Sequence, residues 1–375
     1  MIISSFLQRF SYLLPVLLCL MLACRQPKTS VETLFTTSEN TGIQFTNTVK
    51  NDTNFNIFSY RNFYNGAGVA IGDINNDSLP DIYFAANMGS NKLYINKGNW
   101  QFEEVTEKAG VGSADKWSTG VVMVDINADG LLDIYVCNAG FQQGIAQDNQ
   151  LYINNGDLTF TEKAKEYGLA DAGYTTHAAF FDFDRDGDLD CYILNNSFIP
   201  VNTLNYSNKR DVRAEDWPVA DFLKGGGDKL LRNDDGKYVD ISKEAGIFGS
   251  LIGFGLGVTV GDVNGDLYPD IYVSNDFFER DYLYINQQNG SYKESLETWI
   301  GHTSLSSMGA DMADINNDGY PDLFVTDMLP DDDTRHKTTS SYDNYHTQAL
   351  KENMGFYHQY MQNTLQLNNR NGGFY

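Results

Sequence analysis

DFDRDGDLD, residues 182–190, has an acid at every odd position, and four further stretches follow the same design: DINNDSLPD (73–81), DINADGLLD (125–133), DVNGDLYPD (262–270) and DINNDGYPD (314–322). Positions 1, 3, 5 and 9 hold Asp or Asn in all five. In an extended-then-turned loop their oxygens converge on one point and the carbonyl of position 7 joins them, the all-oxygen donor set that calcium demands. The candidate ligands are Asp73, Asn75, Asp77, Leu79 and Asp81; Asp125, Asn127, Asp129, Leu131 and Asp133; Asp182, Asp184, Asp186, Asp188 and Asp190; Asp262, Asn264, Asp266, Tyr268 and Asp270; and Asp314, Asn316, Asp318, Tyr320 and Asp322. Acids about 4 Å apart repel by several kcal/mol per pair even at an effective dielectric near 20, so such a loop calls for a cation. Metal-free Asx turns are the plainer alternative, but turn chemistry does not require acids at fixed odd positions. The third loop is the expected tightest site, with Asp188 contributing its backbone carbonyl and only Arg185 offsetting the acids. Position 6 is Ser78 in the first loop and Leu267 in the fourth instead of glycine, so those sites are expected to be weaker, with Gly265 able to shift the fourth turn.

Helix-flanked calcium loops close with a bidentate glutamate at position 12. Here that position is Phe84, Val136, Ile193, Val273 and Val325. The flanks are strand-like: GAGVAIGD, STGVVMVD, GLGVTVGD and SMGADMAD lead in, and DIYFAAN, DIYVCNA, DCYILNN, DIYVSND and DLFVTDM lead out. Segments of the type NKLYINKGNWQFEEV add two strands and a Gly/Asn turn, giving four antiparallel strands per unit. The loops recur at intervals of 52, 57, 80 and 52 residues, close to a propeller blade plus insertions. Gly66, Gly68, Gly120, Gly255, Gly257 and Gly309 suit the crowded strand nearest the axis. The expected fold is all-β: a propeller of four-stranded blades over residues 42–375, with a calcium loop between strands 1 and 2 of each blade. Tyr375 falls inside a strand 4, so a truncated or unclosed ring is expected.

Against 26 basic residues stand 50 acidic ones, a formal charge of −24 that excludes a nucleic-acid binder working through a basic surface. Residues 1–23 read as a signal peptide, with Arg9 ahead of an apolar run from Tyr12 to Leu22 that is too short to span a bilayer. Met21-Leu22-Ala23-Cys24 resembles the bacterial lipoprotein box, which implies a lipid on Cys24, a polar tether over 24–41, and membrane contact through that anchor alone. Arg25 after the cysteine implies an outer-membrane or cell-surface address in a Gram-negative bacterium. Cys137 and Cys191 remain, and they read as buried free thiols on opposite faces of their strands.

The five acid loops and the LYIN-type segments, with TDMLP (326–330) and NTLQLNNRNGGF (363–374), resemble the FG-GAP/VCBS repeat family from about residue 42 onward. That family comprises calcium-loop propellers such as the integrin α head and cartilage acidic protein-like bacterial proteins. Chain direction places all acid loops on one face and both long insertions, 195–228 and 326–363, on the other. The insertions carry Tyr206, Trp217, Phe222, Tyr342, Tyr345 and Tyr357, candidates for meeting a partner; covering a sheet end is the equal alternative. A lipid-anchored, calcium-stabilised scaffold for an extracellular protein or glycan leads the functional readings. A propeller-type polysaccharide lyase or hydrolase, drawing on Asp211, Glu215, Asp216 or Asp221, is the second. A structural module of an envelope assembly is the third. No histidine spacing suggests a catalytic triad or zinc site; His177, in a channel-side strand, reads as structural.

Overall fold

The computed structural model describes residues 34–139, 147–207, 210–339 and 344–375. The signal segment, Cys24 and Tyr342 lie outside the described residues. The chain divides into the units Met1–Thr41 and Gly42–Tyr375. Residues 34–41 hold no helix or strand.

Within Gly42–Tyr375 the first blade is β1 (Val69–Gly72), β2 (Asp81–Phe84), β3 (Lys92–Asn96) and β4 (Phe102–Glu104). A helical turn, α1 (Thr106–Ala109), leads to β5 (Ser118–Val124), β6 (Asp133–Asn138), β7 (Gln150–Asn154) and β8 (Phe160–Glu162). After α2 (Ala164–Tyr167) come β9 (Thr175–Phe181), β10 (Asp190–Asn195), β11 (Lys229–Asn233) and β12 (Tyr238–Asp240). The fourth blade is β13 (Gly255–Gly261), β14 (Asp270–Asn275), β15 (Tyr282–Asn286) and β16 (Tyr292–Glu294), followed by α3 (Leu296–Trp299). β17 (Thr303–Ser304), in the link, pairs in parallel with the later β20. The fifth blade opens with β18 (Ser307–Ala313) and β19 (Asp322–Asp327). Its insertion holds α4 (Asp333–Thr339), α5 (Tyr345–Asn353) and β20 (Gln359–Tyr360), and β21 (Thr364–Gln366) then pairs with β19. A bridge between Asn368 and Phe374 repeats the β3–β4 register of Asn96 opposite Phe102, so a fourth strand begins there. Every acid loop joins strands 1 and 2, and the innermost strands β1, β5, β9, β13 and β18 neighbour one another in chain order. The fold is all-β, propeller-like and unclosed.

Period-two alternation explains why the second strands read as unbroken apolar runs. β6, β10 and β14 are buried at every residue, because each blade packs against a neighbour on both faces. Ile134 and Val136 join the core shared with the first blade, while Tyr135 and Cys137 join that shared with the third. Cys191 and Ile193 meet the same layer from the other side, and Tyr192 and Leu194 turn to the fourth blade. Both cysteines are therefore buried free thiols in one interblade layer, approached from opposite strand faces. The inner strands approach closely through glycine: a Cβ on Gly120 would lie 2.5 Å from the carbonyl oxygen of Thr176.

A second device fixes the start of strand 3. Asn91, Asn149, Asp228, Asp281 and Asn363 each accept the backbone N–H of the residue closing the neighbouring strand 2 or, for Ala86 in the first blade, two residues past it, at 2.7–3.1 Å. Asn149 donates to the Tyr135 hydroxyl at 2.9 Å, whereas the Tyr192 and Tyr272 hydroxyls donate to Asp228 (2.8 Å) and Asp281 (2.5 Å). Burial pushes both acids up to about 7. Since folding raises these values, the neutral acids contribute stability that is complete below the ordinary carboxylate range and is lost as pH climbs through 7. Changing Asp228→Asn and Asp281→Asn together copies the other blades. The double variant is expected to melt like the parent at pH 5 and to exceed it at pH 8 by on the order of 2 kcal/mol per site; equal pH dependence of the two melts would contradict neutral acids here.

Candidate functional site

The five acid loops share one backbone design. Oxygens of the first aspartate accept the N–H groups of positions 5 and 6: Asp73 from Asp77 (3.0 Å) and Ser78 (2.7 Å), Asp182 from Asp186 and Gly187 (both 3.1 Å). Asp125, Asp262 and Asp314 repeat this at 2.8–3.1 Å. The position 5 carboxylate accepts the position 7 N–H, as from Leu79, Leu131, Asp188, Tyr268 and Tyr320. These bonds wind the chain into the same tight turn in all five loops.

Both positions 4 and 6 are left-handed. Asn76, Ala128, Arg185, Gly265 and Asn317 have φ between 57° and 76°, and Ser78 and Leu267 reach φ 70° where Gly130, Gly187 and Gly319 stand in the other loops. The shift of the fourth turn allowed by Gly265 does not occur. Leu267 adopts the glycine conformation with its side chain 70% exposed, a strain of order 1–3 kcal/mol held by the surrounding bonds.

Position 9 does more than face the loop. Asp81, Asp133, Asp190, Asp270 and Asp322 are buried at the first residue of strand 2. One oxygen accepts the N–H of position 2 (Ile74, Ile126, Phe183, Val263, Ile315) and the other that of the asparagine ending strand 3 (Asn96, Asn154, Asn233, Asn286) or two residues past it (Asn368). The amides of Asn154, Asn286 and Asn368 in turn reach the preceding blade, donating to the carbonyls of Ile74, Phe183 and Val263 at 2.8 Å. These three asparagines tie loop, hairpin and neighbouring blade together, whereas the Asn96 and Asn233 amides stay within their own blade on the carbonyls of Pro80 and Leu189.

What separates the loops is how their acids are satisfied. Asn75, Asn127 and Asn264 donate to the position 5 carboxylates at 2.9–3.1 Å, and Arg370 pairs with Asp318 at 2.8 Å. In the third loop position 3 is Asp184, which has no proton to give. Asp184 Oδ1 and Asp188 Oδ1 are buried with no hydrogen-bond partner. Asp182, Asp184 and Asp190 bring one oxygen each within 4.8 Å of one another, the cluster of metal-ligating geometry found among the described residues. Desolvation first, and the neighbouring acids second, push Asp188 up to about 6; Asp190 is raised to about 7, again chiefly by desolvation. Arg185 does not offset this cluster: its guanidinium lies 5.2 Å from the Tyr268 ring centroid. Arg232 is the cation that Asp184 and Asp190 feel, and it is shared with Asp234 at 2.7 Å. An orphaned pair of buried carboxylate oxygens in an all-oxygen donor set fits a hard divalent cation.

On the opposite face, the first insertion packs Ile199, Ala214 and Trp217 against Leu251, Phe254, Phe278 and Phe356. Arg210 joins the two insertions, pairing with buried Glu279 at 2.8 Å and donating to the Gly355 carbonyl at 2.6 Å. Among the aromatic candidates, Trp217 is buried and donates to the Val212 carbonyl at 3.0 Å. Tyr206 stacks on Phe278, and Tyr357 donates to the Ile300 carbonyl. These three serve packing. Phe222 (52%) and Tyr345 (82%) remain exposed. Glu215 pairs with Arg213 and Asp221 with Lys224, so these two acids of the insertion do not converge on one another. The stretch 51–65 carries none of the repeat motifs, yet Phe55, Tyr60 and Phe63 form a cluster with Trp117 on this face; the aromatic spacing in FNIFSYRNFY is the signal that marks it.

The FG-GAP-like repeat model matches residues 73–136, 141–193 and 262–325, segments that contain acid loops or the strands leading from them. The chain belongs to the FG-GAP repeat family. Cartilage acidic protein 1 of Xenopus tropicalis is 32% identical over 132 residues, covering 35% of this chain and 20% of that protein. The Mus musculus protein of the same name is 31% identical over 134 residues, with the same coverage. The FG-GAP chain thus spans about a fifth of the length of the curated relatives it matches. Among solved structures, an Agrocybe aegerita lectin described as recognising non-reducing terminal N-acetylglucosamine aligns at a TM-score of 0.39 and 16% identity, covering 81% of this chain and 64% of that one. The V. cholerae biofilm matrix protein Bap1 aligns at 0.37 and 15% identity, covering 70% of this chain and 35% of its own.

Proposed function

We propose that this FG-GAP chain is a calcium-stabilised scaffold at the cell surface, held by a lipid on Cys24, that binds an extracellular protein or glycan through the face built by its two insertions. The observation that carries the reading is the division of labour between the two ends of the blades. One end gathers acid loops whose third member holds orphaned carboxylate oxygens. The other carries two insertions locked to each other by Arg210, with Phe222 and Tyr345 exposed on them. Asp182, Asp184, Asp186 and Asp190, with the carbonyl of Asp188, would hold the ion in the third loop, and their equivalents would serve the other four. A bound cation would neutralise clustered acids and brace each hairpin, its stabilisation rising with free calcium by mass action.

Retention of the protein on immobilised extracellular-matrix proteins and on a glycan array, with calcium present, tests the reading. Phe222→Ser combined with Tyr345→Ser is expected to weaken retention at least tenfold while leaving the melting temperature unchanged. Retention on no surface, or retention indifferent to both substitutions, would overturn the assignment of this face.

A further inference from the structure

Five residues ahead of each acid loop, within the innermost strand or, for Gly68, just before it, stand Gly68, Gly120, His177, Gly257 and Gly309. In register these stand opposite the same position of strand 2, as His177 opposite Leu194, Gly257 opposite Ser274 and Gly309 opposite Thr326. Four blades present a hydrogen there and one presents an imidazole. The glycines let the inner strands close on one another, and beside them lies a cavity of about 370 Å³ walled by residues from all five blades, Gly68, Gly120 and His177 among them, at the strand ends away from the acid loops. Its lining contains no Asp, Glu, Lys or Arg. It is half apolar, with Val69, Val121, Leu256 and Met308, and it is closed on one side by Tyr60 and Asn62 from the stretch ahead of β1.

Two polar heads in this wall are uncommitted. Asn62 is only 9% exposed, and among the described residues neither its amide nor the His177 imidazole has a hydrogen-bond partner. Their polar atoms are not among the fully buried ones that lack a partner, so both groups face accessible space in the cavity. Burial lowers the pKa of His177, which keeps the ring neutral with one donor and one acceptor. The size lies at the lower end of the roughly 300–1,000 Å³ typical of small-molecule sites. Such a volume suits one ring with its substituents.

We propose that this axial cavity binds a single uncharged, hydroxyl-bearing ring, of the class of one neutral sugar residue, with Asn62 and His177 hydrogen-bonding its hydroxyls and the aliphatic wall covering its apolar face. A charged ring would be desolvated with no counter-charge to meet it. The proposal rests on the binding-scaffold reading above and adds a site to it that is separate from Phe222 and Tyr345.

Saturation-transfer NMR with the methyl glycosides of glucose, galactose, mannose and N-acetylglucosamine, and with glucuronate and glucosamine as charged counterparts, is the test. His177→Gly installs the residue of the other four blades, so the fold is expected to survive, and Asn62→Ala provides the second variant. At least one neutral glycoside is expected to bind, with the charged rings at least tenfold weaker and each variant weakening the neutral ring at least tenfold while the calcium-dependent melt stays in place. Binding by none of the neutral glycosides, equal binding of charged rings, or a His177→Gly protein that binds like the parent overturns the proposal. Surface retention that persists in His177→Gly leaves the scaffold reading standing, whereas retention indifferent to Phe222 and Tyr345 sinks that reading on its own.

Discussion

Stripping divalent cations from this chain is expected to lower its melting temperature by on the order of 10 °C for each site that was filled, and adding calcium to restore it. Each filled site contributes about 2.7 kcal/mol when free ion exceeds its Kd a hundredfold, and one kcal/mol moves the melt of a large domain by roughly 2–4 °C. The acid loops sit at the start of every second strand, and position 9 anchors loop, hairpin and strand 3 together. Loss of the ion would therefore loosen whole blades and not only their tips. Calcium should restore the melt where magnesium does so less completely, because a site of six or more oxygens at flexible distance suits the larger ion. A melt that ignores both chelator and calcium would remove the stabilising role.

Two substitutions in the third loop should separate scaffold from ligand. Asp190→Ala removes the acceptor of the Phe183 and Asn233 N–H groups, and each buried donor left unpaired costs about 1–3 kcal/mol. The variant should lose about 2–5 kcal/mol in chelator as well as in calcium. Asp184→Asn should behave differently. It gives the third loop the asparagine of the other four and supplies the missing amide proton, so the chelated protein should melt higher than the parent. In calcium the same change removes a charged ligand, and the affinity of one site should fall at least tenfold. Thermal melts and calcium titrations of both variants check this. An Asp184→Asn protein that binds calcium like the parent would place the ion elsewhere, and an Asp190→Ala protein with an unchanged chelated melt would contradict the anchoring role.

The acid loops and their strands were readable because both signals are periodic. Acids at fixed odd positions survive any rotation of the loop, and a strand buried on both faces shows as an unbroken apolar run, as in DIYVCN. The crowding of acids in the third loop was also legible, with Asp188 beside Asp182, Asp184, Asp186 and Asp190, but the orphaned oxygens of Asp184 and Asp188 come only from the folded loop. The role of the LYIN asparagine was not, because its partners Asp81, Asp133, Asp190, Asp270 and Asp322 lie on other strands and the amides of Asn154, Asn286 and Asn368 reach another blade. Nor did composition separate Trp217 from Phe222: both are aromatic among polar neighbours, and only the packing of Leu251, Phe254 and Phe278 decides which is buried. His177 was visible as a channel-side residue. Its meaning depends on the glycines at the same register and on Asn62, which approaches from a stretch with no regular structure.

Counting bound ions is the most direct measurement. Native mass spectrometry and equilibrium dialysis of the purified chain at millimolar calcium should find bound alkaline-earth ions approaching one per acid loop, with the third loop filling first and Asp182→Ala lowering the count by one. A chain that holds no divalent ion under those conditions would contradict the reading of these five loops as cation cradles.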